Sequence, residues 1–355
     1  MFLKNNRWLD LCRASAIMLV LLSHGRHMLS PIFSDYQLFK FGGFLGVEIF
    51  FVLSGFLIGT IIIEKSSNSE SRWRWIPHFW VRRFLRTYPS YLLFLFLNWF
   101  FIDSLRPSPM PELWRYITFT QSLFSAHPGF FGEAWSLVIE EIFYICIPIM
   151  MLFTWSRSAT QALLVTLFIL LIYSLVMRAI FVCSDPSLTF NQIRSTALLR
   201  LDSIMIGVLT SYCYCHGGLW RERLIKAAPF LSLLIIPVVI ISMQADKIMD
   251  ESLFFKVFLF PIASAAAAGL LVSGINLRID DLLYRLIKPV ARWSYSAYLV
   301  NLLVLSAMGF YLPKVTEDTA ILYWFGFMFT TLTLSAVIYR CFERNILLWR
   351  DHWIK

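Results

Sequence analysis

The chain has 355 residues, of which 58% are hydrophobic, 17% aromatic and only 15% charged. Soluble domains average about 25% charged and about 45–50% apolar residues, so this composition excludes an ordinary soluble domain and indicates an integral membrane protein. The net charge of +9 fits basic residues in cytoplasmic loops, and no nucleic-acid-binding motif offers another explanation. We predict an all-α polytopic membrane protein whose partner is the lipid bilayer, with no nucleic-acid partner.

Ten apolar runs are long enough to cross about 30 Å of hydrocarbon. Their approximate cores are residues 9–29, 43–63, 79–102, 134–154, 159–183, 198–215, 226–243, 253–273, 290–311 and 319–342. The run at 198–215 is the weakest because Arg200 and Asp202 interrupt its start. No linker or repeat interrupts the pattern. The sequence therefore predicts about ten transmembrane helices in a single membrane-embedded domain, residues 1–355, without an additional soluble domain.

The distribution of basic residues predicts the orientation of these helices. If the N-terminus is inside, 21 of the 31 Lys and Arg residues fall on the inner side and 10 on the outer side. The positive-inside rule then places both termini in the cytoplasm. The longest outward segment, residues 103–133, contains four prolines, and we predict a structured external lid or re-entrant loop there.

Several ionisable residues lie inside the predicted spans, where each costs about 2.5–3.5 kcal/mol and by default marks a functional site. Arg13 and His24 are eleven residues apart, so they share one helix face with His24 roughly 16 Å deeper. Glu140 and Glu141 lie about two turns into the span that starts near residue 134, and Glu48 also enters from the outer side. A histidine beside a carboxylate can act as a general base with an orienting partner. Alternatively, these groups satisfy one another and lock the helices together.

Arginines cluster at the start of the third span, where Arg82, Arg83 and Arg86 occur together. Arg83 and Arg86 are three residues apart and face the same way. Because the guanidinium fork suits phosphate oxygens, and Arg13 lies toward the same side, we predict a basic phosphate-binding cluster. The alternative is that these arginines only fix the topology or contact lipid headgroups.

Five stretches of the sequence, taken together, resemble the acyltransferase-3 family of membrane acyltransferases, which includes bacterial enzymes that O-acetylate surface polysaccharides. They are WLDLCRASAIMLVLLSH, LGVEIFFVLSGFLIG, FWVRRFLRTYPSYLL, AWSLVIEEIFYICIP and LLRLDSIMIG. The stretches WSYSAYLVN and CFERN match more weakly. The matches follow the order of the family over nearly the whole chain.

This resemblance implies an acyl-CoA donor, most commonly acetyl-CoA, and a hydroxyl acceptor on a carbohydrate such as a cell-surface or exported polysaccharide. It implies an enzyme of the bacterial inner membrane, an O-acyltransferase with no bound cofactor. The family's essential histidine and its carboxylate correspond to His24 and Glu140. Its arginine corresponds to Arg13 and its RxxR pair to Arg83 and Arg86, the residues that we expect to bind acyl-CoA. Candidates for supporting or acceptor-binding roles are Asp10, Glu48, Ser136 and Glu141.

The chain departs from the family at two places. Many members have a histidine where this chain has Asn301, so we assign no catalytic role to the ninth span. A terminal Glu-Arg-Pro reads Glu343-Arg344-Asn345 here. We also expect neither the C-terminal hydrolase-like domain that some members carry nor a metal site, since Cys213 and Cys215 lack a zinc spacing.

In the resulting hypothesis, the arginines bind the phosphates of coenzyme A at the cytoplasmic side. His24, aided by Glu140, removes a proton from the acceptor hydroxyl. His24 could instead take the acyl group first and pass it on. Candidate donors to the developing oxyanion are Ser136 and the Ser54-Gly55 region. Two alternatives stay open: a transporter or flippase without chemistry, and an acyltransferase with a small cytoplasmic acceptor. The sequence leaves the oligomeric state open.

Overall fold

The computed structural model describes residues 6–67, 73–105, 112–154, 158–216 and 218–354. Throughout these residues the secondary structure is helical, without strands, which confirms the all-α prediction. The α-helices are α1 Arg7–Gly25, α2 Lys40–Ser67, α3 Trp75–Leu105, α4 Leu113–Ile117, α5 Ala134–Thr154, α6 Ala159–Ser184, α7 Phe190–Ser195, α8 Asp202–His216, α9 Leu219–Ser242, α10 Asp246–Glu251, α11 Leu253–Ser273, α12 Asp281–Tyr311, α13 Glu317–Ile338 and α14 Arg344–Trp353. A π-helical turn, Tyr339–Glu343, joins α13 to α14.

Within the described ranges, eight helical segments are long and apolar enough to cross a membrane. They are Arg7–Leu29, Tyr36–Ser66, Ala134–Thr154, Ala159–Ser184, Arg221–Ser242, Leu253–Ser273, Asp281–Tyr311 and Glu317–Trp353. Eight of the ten predicted spans are therefore confirmed as candidate membrane helices, and the chain is an integral membrane protein.

The other two predicted spans are also helices, but each differs from an ordinary span. Helix α3 has 31 residues and is long enough, yet Arg82, Arg83 and Arg86 make its first half less apolar. Helix α8 has only 15 residues, which is about 22 Å at 1.5 Å per residue and shorter than the hydrocarbon layer. The polar residues Arg200 and Asp202, which weakened this run in the sequence, lie at its start.

The helix bundle has two ends, to which the residues of the site can be assigned. The near end is where α1 and α3 begin, and the far end is where α1 ends and α5 begins. The described part of the 103–133 segment belongs to the far end, but it packs against the middle of α3. The Tyr91 hydroxyl donates to the carbonyl of Tyr116 at 2.9 Å, and the Tyr91 and Phe119 rings are 4.4 Å apart. This packing fits the prediction of a structured loop.

A cluster of buried ion pairs ties together α2, α6, α8 and α11. Arg178 on α6 pairs with Asp202 at 2.7 Å, and Arg200 pairs with Glu48 on α2. Ser264 on α11 donates to Glu48 at 2.8 Å. All four charged side chains are at most 1% exposed. A buried charge that loses its partner is strongly destabilising, so this cluster fixes how these helices meet.

Small residues let α2 and α8 approach closely beside this cluster. A side chain at Gly55 would overlap the carbonyl of Ile204, and one at Gly207 would overlap the carbonyl of Val52. Close backbone contact through glycine is a common way for helices to associate in membranes, where apolar burial from water gives no driving force. The α2–α8 contact therefore depends on both glycines.

The Glu48→Ala substitution should reduce the free energy of unfolding by about 3–5 kcal/mol, because it leaves Arg200 buried without its ion-pair partner. Thermal unfolding of the detergent-purified protein measures this effect. Glu64→Ala, which removes an exposed carboxylate from the same helix, is the matched control and should change stability little. An equal loss in both variants would show that the buried pair does not fix the fold.

His127, in the loop before α5, should make that loop sensitive to acid. Burial lowers the pKa of His127 to about 4, whereas an unfolded histidine titrates near 6.5. The unfolded loop therefore binds the proton first. The stability of the loop is full above about pH 6.5 and declines as the pH falls toward 4, by about 2 kcal/mol at pH 5.

Hydrogen exchange of residues 118–133 at pH 7.5 and pH 5.0, corrected for intrinsic rates, measures this loss of protection. The His127→Gln variant keeps a neutral side chain and retains every other titrating group of the segment, including Glu133, so wild type should lose about 2 kcal/mol more protection than the variant between the two pH values. If wild type and variant respond to acid alike, another group controls the opening of the loop.

Candidate active site

A cavity of about 480 Å³ lies at the far end of the bundle. Its wall includes His24, the ionisable residues Arg26, Lys40, Glu133, Arg194, Asp246 and Asp250, and the aromatic residues Trp135, Phe190 and Tyr298. Lys40 and Asp246 form an ion pair in this wall, and their side chains are 33% and 65% exposed. It combines the basic, acidic and aromatic side chains that bind hydroxyl-rich ligands, with His24 in its wall.

Asn301 on α12 holds the imidazole of His24, with 2.5 Å between Nδ1 and Oδ1. The amide nitrogen of Asn301 donates to the carbonyls of Ala297 and Tyr298, so its oxygen faces His24. An oxygen can only accept, so His24 must carry its proton on Nδ1. The other ring nitrogen, Nε2, bonds to no group among the described residues and is the nitrogen that can accept a proton.

Glu140 does not orient His24, which corrects the predicted pairing of these two residues. Next to Asn301, the Leu302 amide donates to Glu133 at 3.0 Å, so His24 lies level with the start of α5. Glu140 is seven residues further along α5, about 10 Å deeper in the bundle. The prediction placed both at a similar depth by counting residues along each helix, whereas the contacts of Asn301 and Leu302 place His24 level with Glu133.

Glu140 instead belongs to a cluster in the near half of the bundle. The Tyr144 hydroxyl donates to Glu140 at 2.7 Å and lies 3.1 Å from the hydroxyl of Ser54. The charges of Arg83 and Arg86 act on Glu140. Glu140 is thus close enough for the charges of the two arginines to act on it, and it is an acidic member of this cluster.

The three predicted phosphate-binding arginines do come together. The charge of Arg86 acts on both Arg13 and Arg83. Arg13 bonds to Asp10 at 3.1 Å, and Asp10 also accepts from Tyr284 at 2.8 Å. By contrast, Arg83 and Arg86 donate no hydrogen bond to any protein group in the described ranges, so their N–H groups are free for an anion.

The other predicted site residues are placed as follows. Glu48 lies in the buried ion pair with Arg200 and not in the cavity wall, so the geometry supports a structural role and not contact with an acceptor. Ser136 shares a hydrogen bond of 2.7 Å with the hydroxyl of Tyr298, which lines the cavity. Glu141 accepts from Thr87 at 2.6 Å.

A family model described as an acyltransferase domain, that of the acyltransferase-3 family, matches residues 6–340. The chain belongs to the acyltransferase-3 family. The O-acetyltransferase OatA of Staphylococcus aureus strain NCTC 8325 is 27% identical over 201 residues, 51% of this chain and 32% of that protein. The peptidoglycan O-acetyltransferase OatA of Listeria monocytogenes serovar 1/2a is 29% identical over 164 residues, 41% of this chain and 26% of that protein.

The chain thus spans about a third or less of the length of these acyltransferase-3 relatives. No solved structure matches the chain significantly.

Two residues of this candidate site, Asn301 and Arg194, were not predicted from the sequence, in which the ninth span has no assigned role. In the sequence, Asn301 is only a departure from the family. An amide inside an apolar helix must nevertheless find a hydrogen-bond partner, and for Asn301 this partner is His24. Arg194 lies in the short helix α7, outside the apolar runs, and nothing in the sequence placed it near His24. Only the folded chain brings α7 to the cavity wall.

Proposed function

We propose that the chain is a membrane O-acyltransferase that transfers an acyl group, acetyl by analogy with the named relatives, from acyl-CoA to a hydroxyl group of a cell-surface or exported polysaccharide. The observation that carries this proposal is the position of His24. Its ring lines the far-end cavity, while the unpaired Arg83 and Arg86 lie toward the near end. A phosphate-bearing donor and a hydroxyl-bearing acceptor would then approach one base from opposite ends.

The orientation follows from the same arrangement. With the near end in the cytoplasm of a bacterium and the chain in its inner membrane, coenzyme A meets the arginine cluster from inside. The polysaccharide meets the cavity from outside. Family membership favours this enzyme over the transporter, and the far-end position of the cavity favours an external acceptor over a small cytoplasmic one.

His24 is suited to two routes of acyl transfer. In direct transfer, Nε2 takes the proton of the acceptor hydroxyl, the hydroxyl oxygen bonds to the acyl carbon, and the departing thiolate of coenzyme A receives the proton. In the two-step route, Nε2 first bonds to the acyl carbon and releases the thiolate. The acceptor oxygen then displaces the imidazole, and its proton passes to the thiolate.

Asn301 serves both routes by fixing the Nδ1–H tautomer, so that Nε2 stays unprotonated and faces the cavity. It is a positioning residue, because it acts through His24. We assign Glu140, together with Tyr144, to the arginine cluster. Glu140 then has no role in positioning His24. The pantetheine arm of coenzyme A would bridge the remaining distance, which along α1 is roughly 16 Å from Arg13 to His24.

The decisive experiment measures release of free coenzyme A from acetyl-CoA by the detergent-purified protein, with and without peptidoglycan glycan strands. Wild type should show acceptor-dependent release. His24→Gln should lower it by about 10²–10⁴-fold, the usual contribution of a positioned base. The control is His27→Gln, since His27 is exposed and packs on Tyr36. Equal release by wild type and His24→Gln would remove His24 from the mechanism.

Asn301 variants separate positioning from mere packing in the same assay. Asn301→Leu cannot accept from Nδ1–H and should lower kcat by about tenfold to a hundredfold, a fraction of the effect of losing the base. Asn301→His restores an acceptor and should recover most of the activity. If Asn301→His is as impaired as Asn301→Leu, the amide contributes packing alone.

Arg83→Gln and Arg86→Gln should each raise KM for acetyl-CoA about tenfold with little change in kcat, because each removes a charge-assisted hydrogen bond to a phosphate. Arg82→Gln is the matched control on the same helix, since Arg82 pairs with Asp351 at 2.9 Å and not with the cluster. An equal KM increase in all three variants would indicate a general charge effect.

A further inference from the structure

Arg194 is an unpaired cation in the wall of the cavity that contains His24. Its guanidinium group forms no hydrogen bond or ion pair with any residue in the described parts of the chain, and its Nε atom is buried without a partner. A buried donor left unsatisfied costs stability. An arginine in this state is therefore either a defect of packing or a group kept free for a ligand.

The aromatic neighbour of Arg194 supports the second explanation. The guanidinium carbon lies 5.1 Å from the centre of the Trp135 ring, and Trp135 is only 8% exposed. Such a cation–π contact positions the guanidinium plane without using its N–H groups. Trp135 therefore positions Arg194 and leaves the guanidinium N–H groups available to a ligand.

The aspartates of the cavity wall are engaged with other partners. Asp246 pairs with Lys40, and Asp250 accepts from the backbone N–H of Phe190 at 2.7 Å. Neither forms an ion pair with Arg194, although all line one cavity. The fold thus keeps the available carboxylates away from this guanidinium group.

The charge of the cavity wall indicates which ligand would balance it. Burial raises the pKa of Glu133, which precedes α5, to about 8, so Glu133 is mostly neutral at pH 7. Burial lowers the pKa of Arg194 to about 10, so Arg194 stays charged. The two aspartates then balance two of the three basic side chains Arg26, Lys40 and Arg194. One positive charge is left over, which matches a ligand with a single negative charge.

We propose that Arg194 binds a carboxylate of the acceptor glycan, so that the preferred acceptors are polysaccharides with acidic sugars. The inference rests on the acyl transfer proposed above and specifies its substrate class. The charge of Arg194 acts on His24, so the two side chains lie close to each other. A carboxylate bound by Arg194 would therefore place a neighbouring hydroxyl of the same glycan beside the base.

The test compares two acceptors that differ only in charge. Peptide-free glycan strands of peptidoglycan carry a lactyl carboxylate on each muramic acid, and coupling to methylamine converts this group to a neutral amide. With wild type, kcat/KM for acetyl transfer should be about tenfold or more higher for the acidic strands. Arg194→Gln should lower kcat/KM for the acidic strands about tenfold more than for the neutral strands, so that the ratio between the two acceptors falls to about one. Arg194→Lys should retain part of the preference.

Activity on the neutral strands also shows that Arg194→Gln is folded. Equal use of both strands by wild type would overturn the carboxylate subsite and leave the acyltransferase proposal intact. An equal loss on both strands in Arg194→Gln would also overturn the subsite, because it would show a general structural role. Failure of wild type to acetylate either strand would overturn both proposals.

Discussion

A charge buried in a membrane protein must find an opposite charge or a hydrogen-bond partner in the same low-dielectric space, and this constraint sorts the arginines of the chain. Arg178 and Arg200 are paired with acidic side chains and hold four helices together. The half-buried Arg83 and Arg194 have no such partners among the described residues, and neither has the exposed Arg86 next to Arg83. Arg178 and Arg200 therefore belong to the scaffold, whereas Arg83, Arg86 and Arg194 are the positions at which we propose that anionic groups bind.

His24 and Glu140 have different hydrogen-bond partners. The neutral amide Asn301 contacts the imidazole of His24, whereas Glu140 accepts from Tyr144 about 10 Å deeper in the bundle. An amide fixes the tautomer of the imidazole without adding a charge beside it. The positive field around His24 from Arg26 and Arg194 is then left to favour anionic groups in the cavity.

Much of the fold was predictable from the sequence, because apolar runs, polar interruptions and basic loops are all local signals. The residues of the arginine cluster were predictable for the same reason: Arg13, Arg83 and Arg86 lie at the same ends of their spans. The hydrogen-bond partners of the buried polar side chains were not predictable. Glu140 and Asn301 are both polar groups inside apolar helices. Which of them contacts His24 depends on how their helices pack against α1. Glu48 shows the same difficulty, since its partner Arg200 lies 152 residues away in the sequence.

Helix α12 sets the distance between the two halves of the site. Its Tyr295 hydroxyl donates to the carbonyl of Thr87 beside the arginine cluster, and its Asn301 holds His24. These two contacts are six residues apart on one continuous helix, which is roughly 9 Å of rigid backbone. One helix thus fixes the distance between the arginine cluster and His24. If an acyl group passes between these two regions, as we propose, the number of residues between Tyr295 and Asn301 sets the distance that it must cover.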